Sequence, residues 1–271
     1  MKYKISELAK LLDVSTNTVR RYEDMGYIHS VRDDNSGYRY YGDDALFGIM
    51  NARIMRKYEF THEELDDLLQ YNLNDSIAAY EKKMAEIDER IAYMSDVRHR
   101  IKDDLVLMRK AAAGGDVYEK RCMDYTYIVF KHEDKLSHEA GRLKKVQEFL
   151  YDCPEIQRIY IIRKDALEKG KMRLVPGIAV KCMDMAKYNV TENEYTEYYP
   201  QQKSIMCMVR MPGDRYDSSE EELKELILGK HLDYMQEHNM HIAGDIIAII
   251  ISRVIEEGQE VMYLLVSVPV E

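Results

Sequence analysis

Between Ile77 and Met108 the apolar residues fall in steps of three and four: Ile77, Tyr80, Met84, Ile87, Ile91, Met94, then Ile101, Leu105 and Met108. That spacing is the heptad pattern of a long helix packing on another helix. A helix over Asp75 to Lys110 extends about 54 Å at 1.5 Å per residue, too long to lie against one small domain. These residues are therefore expected to form the seam of a homodimer, the alternative being an amphipathic helix packed on its own chain. Arg98 takes the seam position between Met94 and Ile101, where one polar residue fixes register at some cost in stability. Ala111-Ala112-Ala113-Gly114-Gly115 ends the helix and marks a boundary. The chain thus divides into a head over 1–73, a coiled-coil dimerisation helix over 74–113 and a C-terminal domain over 116–271.

Charge separates these parts. The net charge of −10 disfavours a protein coated in nucleic acid, but residues 1–57 carry 10 Lys/Arg against 8 Asp/Glu, and the remainder 29 against 41. An acidic body repels phosphate and confines any DNA contact to the head. No apolar run is long enough to span a bilayer, the longest being Ile246 to Ile251, and Lys10 and Asp13 interrupt the N-terminus as a signal peptide. The expectation is a cytoplasmic protein without membrane contact. Cys122, Cys153, Cys182 and Cys207 lie far apart with no Cys-x-x-Cys pair, and read as reduced, semi-buried thiols.

In the head, Ser6 is expected to cap a helix over Glu7–Leu12 whose apolar face is Leu8, Leu11 and Leu12. Ser15 or Thr16 caps the next helix, and Val19 and Tyr22 lock it to the first. Asn17, Thr18, Arg20 and Arg21 are left free near a helix N-terminus, where backbone amides and the dipole favour phosphate and short polar side chains reach base edges. A plain helical hairpin with a solvated face gives the same pattern. Asp33-Asp34-Asn35-Ser36-Gly37, between Ile28–Arg32 and Tyr38–Tyr41, then predicts a β-hairpin that exposes Arg39 beside three tyrosines, a combination suited to clasping a sugar-phosphate backbone. Asp43 or Asp44 caps a helix through Lys57, and Thr61-x-x-Glu64 is a capping box for Glu63–Leu69. Arg53, Arg56 and Lys57 fit phosphate contacts and solvated charges equally well.

Ile5-Ser6-Glu7-Leu8-Ala9, Thr18-Val19-Arg20-Arg21-Tyr22-Glu23 with Gly26, and Gly37-Tyr38-Arg39-x-Tyr41 together resemble the helix-turn-helix and wing signatures of the MerR family of transcription regulators. One departure is Glu59, where many members carry Gly before an aromatic, here Phe60. The resemblance implies a winged helix-turn-helix that binds double-stranded promoter DNA through Lys4, Thr16, Asn17, Thr18, Arg20, Arg21, Tyr22, Tyr38, Arg39, Tyr41 and Arg56. It also implies antiparallel dimerisation through the long helix, and distortion of the promoter spacer that realigns it for RNA polymerase.

The C-terminal domain is expected to be α+β, built from two strand-helix-strand-strand repeats around a central cleft. One copy runs Tyr125–Lys131, His138–Tyr151, Arg158–Arg163 and Arg173–Lys181. The other runs Ser204–Met211, Ser218–Glu237, Asp245–Arg253 and Glu260–Pro269, with Ser218-x-x-Glu221 as the capping box. Tyr195, Tyr198 and Tyr199, beside Pro200, form an aromatic linker between the copies. The repeat, Gly213-x-x-Tyr216 and the terminal Tyr263-Leu264-Leu265-Val266-Ser267-Val268-Pro269-Val270 resemble the GyrI-like effector-binding domain of multidrug-sensing MerR relatives of the BmrR-like subgroup.

Relatives that bind lipophilic cations often place a Glu four residues before the terminal proline; here that position is Leu265, with Ala248 and Ile250 on the preceding strand. A buried carboxylate is costly without a paired cation, so such a Glu filters for charge. Its replacement predicts a neutral or weakly polar, mainly apolar effector, with Tyr127, Tyr160, Met206, Tyr216, Ile250 and Leu265 as candidate contacts. Leu265 equally suits plain core packing. The sequence therefore points to a dimeric, ligand-responsive regulator without catalytic residues, metal ligands or cofactor. A metal or redox sensor on the same head is one alternative, although only Cys122 lies near the end of the long helix. The other is a C-terminal domain that hydrolyses small electrophiles, but no Ser/His/Asp set or phosphate loop supports it, and His132, His138, His231, His238 and His241 lack ligand spacing.

Overall fold

The computed structural model describes residues 2–33, 37–132, 135–136, 139–213 and 218–271, and divides into two units, Met1–Tyr93 and Met94–Glu271. The first contains β1 (Tyr3–Lys4), α1 (Ile5–Leu11), α2 (Thr16–Asp24), β2 (Ser30–Arg32), β3 (Arg39–Tyr41), α3 (Asp43–Lys57) and α4 (His62–Leu68), then the start of α5 (Leu73–Ala113). Helix α1 starts earlier than expected, so Ser6 lies inside its first turn. The Glu7 carboxylate instead accepts from the Lys4 amide at 2.7 Å. Ser15 caps α2, its hydroxyl accepting from the Thr18 amide at 3.0 Å. Leu8, Ala9 and Val19 are buried with Tyr41, Ile49, Ala52, Phe60 and Leu65 in one core. Strands β1, β3 and β2 form a small antiparallel sheet. The hairpin strands are shorter than the sequence suggested, and Asp34, Asn35 and Ser36 of the turn lie outside the described residues.

Glu59 follows α3 with φ +68°, in the left-handed region, while the Phe60 amide donates to Met55 O at 3.2 Å. This is the helix-ending geometry that favours glycine, because a Cβ is strained there. Glu59 also pairs with Arg90, an exposed contact of small worth. Glu59→Gly is therefore expected to raise unfolding stability by up to about 1 kcal/mol, read as a higher midpoint in denaturant titration. A loss of stability would show the Arg90 pair to be the stronger effect.

Asn72 caps α5, its side-chain oxygen accepting from the amides of Asn74 (2.8 Å) and Asp75 (3.0 Å). Inside the first unit the helix turns Lys83 toward the head, where Nζ donates to Glu64 at 2.8 Å and Glu86 at 2.7 Å and lies 5.2 Å from the Phe60 ring. Tyr80, expected in the dimer seam, is 41% exposed and also touches its own head: its hydroxyl donates to Met55 Sδ at 2.8 Å and its ring tilts on Phe60 at 5.4 Å. Of the other seam residues Ile87 is half-buried, whereas Ile77, Met84, Ile91, Met94, Ile101, Leu105 and Met108 stay exposed in the single chain.

The second unit adds β4 (Tyr118–Arg121), β5 (Tyr125–Val129), β6 (Lys131–His132), β7 (Lys135–Leu136), α6 (Ala140–Asp152), β8 (Gln157–Ile162), α7 (Lys164–Glu168) and β9 (Val175–Lys181). These are followed by α8 (Cys182–Met185), β10 (Glu197–Tyr199), β11 (Lys203–Pro212), α9 (Glu220–Glu237), β12 (Ile246–Glu256) and β13 (Gln259–Pro269). Eight strands form one sheet in the order β10-β5-β9-β8-β12-β13-β11-β4, with every pairing antiparallel. The capping box of α9 falls one residue later than predicted, at Ser219 and Glu222. Residues 195–199 are not a plain linker: Glu197–Tyr199 add an edge strand beside β5.

The sheet has to curl. In a flat sheet, six strand spacings would put β10 about 29 Å from β11, yet only residues 200–202 join them, a reach of about 14 Å. One face is therefore concave. On the outer face α9 buries Leu223, Ile227, Leu228 and Met235 against Ile162, Ile205, Leu264 and Val266, and α6 buries Phe149 against Ile128, Ile178 and Val180.

Candidate functional site

In the head, α2 presents Asn17, Arg20 and Arg21 as exposed side chains, with Thr16 and Thr18 half-buried. Arg20 donates weakly to Asn17 at 3.4 Å, and Arg21 lies 3.5 Å from His62 Nε2. Tyr38 is 70% exposed and Lys4 is exposed. Glu23, at the end of α2, ties the hairpin to this helix. Its carboxylate accepts from Arg39 and Tyr41 at 3.0 Å each, and from the Ser30 hydroxyl, so both strands of the hairpin are held. Burial alone would raise the Glu23 carboxyl, but the hydrogen bonds from Ser30, Tyr41 and Arg39, with the charge of Arg39, outweigh it and hold it below the usual range. The arrangement places a polar helix face and an arginine-tipped hairpin as one rigid surface that can meet a phosphate backbone.

On the concave face of the C-terminal sheet lie Tyr125, Tyr127, Ile159, Ile161, Tyr199, Met206, Ile247, Ile249 and Ile251, all buried, with Met208, Tyr263 and Leu265 packed against them. At one rim Arg163 donates to Tyr127 Oη (2.9 Å), Glu197 (2.6 Å) and Asp245 (2.9 Å), and Tyr127 donates to Glu197 at 2.9 Å. Burial, then the neighbouring Glu197 and Asp245 against Arg163, raises the Tyr127 phenol, so it stays a neutral donor. Deeper in, the hydroxyls of Tyr199 and Ser267 are buried without a hydrogen-bond partner among the described residues. Burial strongly raises the Tyr199 phenol, opposed by the nearby side chains of Gln202 and Ser267, neither of which closes into a hydrogen bond.

The long helix touches this face within the second unit. Leu107 packs against it, and Arg100 donates to Gln157 at 3.0 Å on β8, the strand that supplies Ile159 and Ile161. The four cysteines are free thiols. Burial pushes Cys153 up to about 11 and also raises Cys182 and Cys207, which keeps these thiols protonated and disfavours thiolate ligation. Among the described residues no three His, Cys, Asp or Glu side chains gather as metal ligands, and no helix is long and apolar enough to cross a membrane.

The sequence pattern of the family described as MerR family regulatory protein matches residues 4–41. The HTH-type transcriptional regulator HmrR of Sinorhizobium medicae (strain WSM419) is 30% identical over 104 residues, covering 36% of this chain and 71% of that protein. The chain belongs to the MerR family. As a MerR-family protein it is a DNA-binding transcriptional regulator. The transcriptional regulator BrlR of Pseudomonas aeruginosa is 24% identical over 180 residues, 54% of this chain and 67% of that one. The EcmrR-DNA complex seen by cryo-EM aligns over 99% of both chains at 16% identity, with a TM-score of 0.37.

Several residues expected at the sites of this MerR-family regulator lie elsewhere. Tyr41 is 1% exposed and spends its hydroxyl on Glu23, so it supports the hairpin from the core. Tyr22 is half-buried against Tyr27, with ring centroids 5.7 Å apart. Arg56 closes the end of α3 by donating to Phe60 O, and Arg53 donates to Leu12 O at 2.6 Å. In the C-terminal domain Tyr127, Met206 and Leu265 share the concave face, but Tyr160 and Ile250 belong to the helix-covered face. Tyr216 lies outside the described residues. Leu265 pairs with Ile249, not with Ala248 or Ile250. Strand parity, counted from Leu265, would have found Ser267, whereas Ile249 is set by the register of the neighbouring strand. Nothing local in the sequence marks Glu197 or Asp245 as partners of Arg163.

Proposed function

We propose that this MerR-family regulator binds promoter DNA as a homodimer, with α2 and the Arg39 hairpin as its contact surface. We propose further that it responds to a small, mainly apolar effector held on the concave face of its GyrI-like C-terminal sheet. The observation that carries the reading is the Glu23 clamp, which fixes an exposed Arg39 beside the free polar face of α2. The exposed heptad stripe of α5 supports the dimer, since an apolar row of this length costs solvation until a second copy covers it. Two related half-sites would then face the two heads. Strand β5, helix α6 and strands β8 and β9 are matched in order by β11, α9, β12 and β13, which supports a duplicated domain. The Arg100–Gln157 contact gives the effector face a route to α5. An effector that binds the DNA-distorting state more tightly shifts the promoter toward the geometry RNA polymerase needs.

The test is promoter footprinting with salt titration. Arg21→Ala and Arg39→Ala are each expected to weaken binding about tenfold at fixed salt and to lower the salt slope by about one unit, across many DNA sequences. A folded dimer that protects no promoter would sink the reading. An unchanged slope would remove these two residues from the phosphate contacts.

A further inference from the structure

We propose that the concave face selects a neutral ligand whose apolar body carries a hydrogen-bond acceptor, held by the hydroxyls of Tyr199 and Ser267. The inference rests on the concave face being the effector site and names the class of effector. Tyr199 and Ser267 are 2% and 3% exposed, and neither hydroxyl has a hydrogen-bond partner among the described residues. They come from β10 and β13, which have four strands between them in the sheet order, and only the curl of the sheet brings them together. Both belong to the concave face by register: Tyr199 pairs with Tyr125, while Ser267 lies between Ile247 and Met206. A hydroxyl enclosed by apolar side chains is costly unless something accepts its hydrogen. Two such donors converging among Tyr125, Met206 and Ile247 describe a socket for one carbonyl-like oxygen.

The charges around the socket decide the rest. Glu197 and Asp245 at the rim are both committed to Arg163, so neither is offered freely to a cation. The three together carry one net negative charge, which disfavours an anion. Leu265, packed against the same face, supplies no charge. A neutral acceptor is what remains.

The experiment uses the full chain labelled at methionine methyl groups, with three probes of matched shape: acetophenone, its isosteric hydrocarbon α-methylstyrene, and benzyltrimethylammonium. Acetophenone is expected to shift Met206 and Met208 of the concave face, leave Met235 and Met262 of the helix-covered face unmoved, and bind about tenfold more tightly than α-methylstyrene. The double variant Tyr199→Phe, Ser267→Ala should erase that tenfold difference while keeping the hydrocarbon's affinity. In the absence of probe, Tyr199→Phe should unfold no earlier than the native protein, because no internal hydrogen bond is lost. Equal binding of acetophenone and α-methylstyrene, tightest binding of the ammonium probe, or a lower unfolding temperature for Tyr199→Phe would each overturn the inference and leave the effector site standing. If no probe moves Met206 or Met208, the concave face as effector site falls with it.

Discussion

Ile91→Asp is expected to break the proposed dimer into monomers and to abolish promoter binding at concentrations where the native protein is saturated. Ile91 is 62% exposed in the single chain, in the middle of a stripe that continues through Met94, Ile101 and Leu105. In a two-fold dimer the substitution enters the seam twice, so two carboxylates lose water with no cation prepared for them. Each such burial costs several kcal/mol, and dimer affinity should fall by at least about a hundredfold. Sedimentation and DNA-binding anisotropy measure the two consequences separately. The same change at the exposed Ala92, off the stripe, should leave both nearly unaltered. A variant that stays dimeric would move the dimer contact away from this stripe.

Acid is expected to destabilise the C-terminal domain through one residue of α9. His231 is 1% exposed against the sheet, with Nε2–H donating to Val266 O at 3.3 Å. Burial, helped by Lys230 and opposed by the carbonyls of Val266 and Ile227, lowers its pKa to about 4. The folded value thus lies below the unfolded value of about 6.5. Between these values the unfolded chain binds the proton and the folded chain does not, so stability is full above pH 6.5 and falls as pH drops toward 4. The loss amounts to about 3 kcal/mol over that window. Denaturant titrations of the native protein and His231→Gln across pH 4 to 7 should therefore differ in slope, the variant losing about 3 kcal/mol less. Parallel curves would show that His231 titrates normally. Because the buried imidazole lies between α9 and β13, acid should loosen the C-terminal unit before the head.

The heads and helices were legible because their determinants are local. Ser15 caps α2, Thr61 and Glu64 box α4, and apolar steps of three and four mark α5; in each case the interacting groups lie within a few residues. The shift of the α9 cap from Ser218 to Ser219 is the usual size of error when two serines adjoin. Tyr80 shows the limit of periodicity. It keeps the heptad spacing and stays 41% exposed, yet it also meets Met55 and Phe60 of its own head, contacts that the spacing does not announce. Tyr41 shows the same for the wing: a tyrosine beside an exposed arginine suggested a DNA contact, but Glu23 pulls its hydroxyl inward.

The sequence by itself determined the family, the order of the parts and the long helix, because the contacts that specify them are short-range and repeat along the chain. It also singled out Leu265 as a candidate contact. Only the tertiary structure decided what surrounds Leu265. A one-residue difference in strand register exchanges the two faces of a sheet, which is why Ile249 faces it and Ala248 and Ile250 do not. The curl that joins Tyr199 to Ser267 depends on eight strands and a three-residue connector acting together. No local window of the chain contains that information.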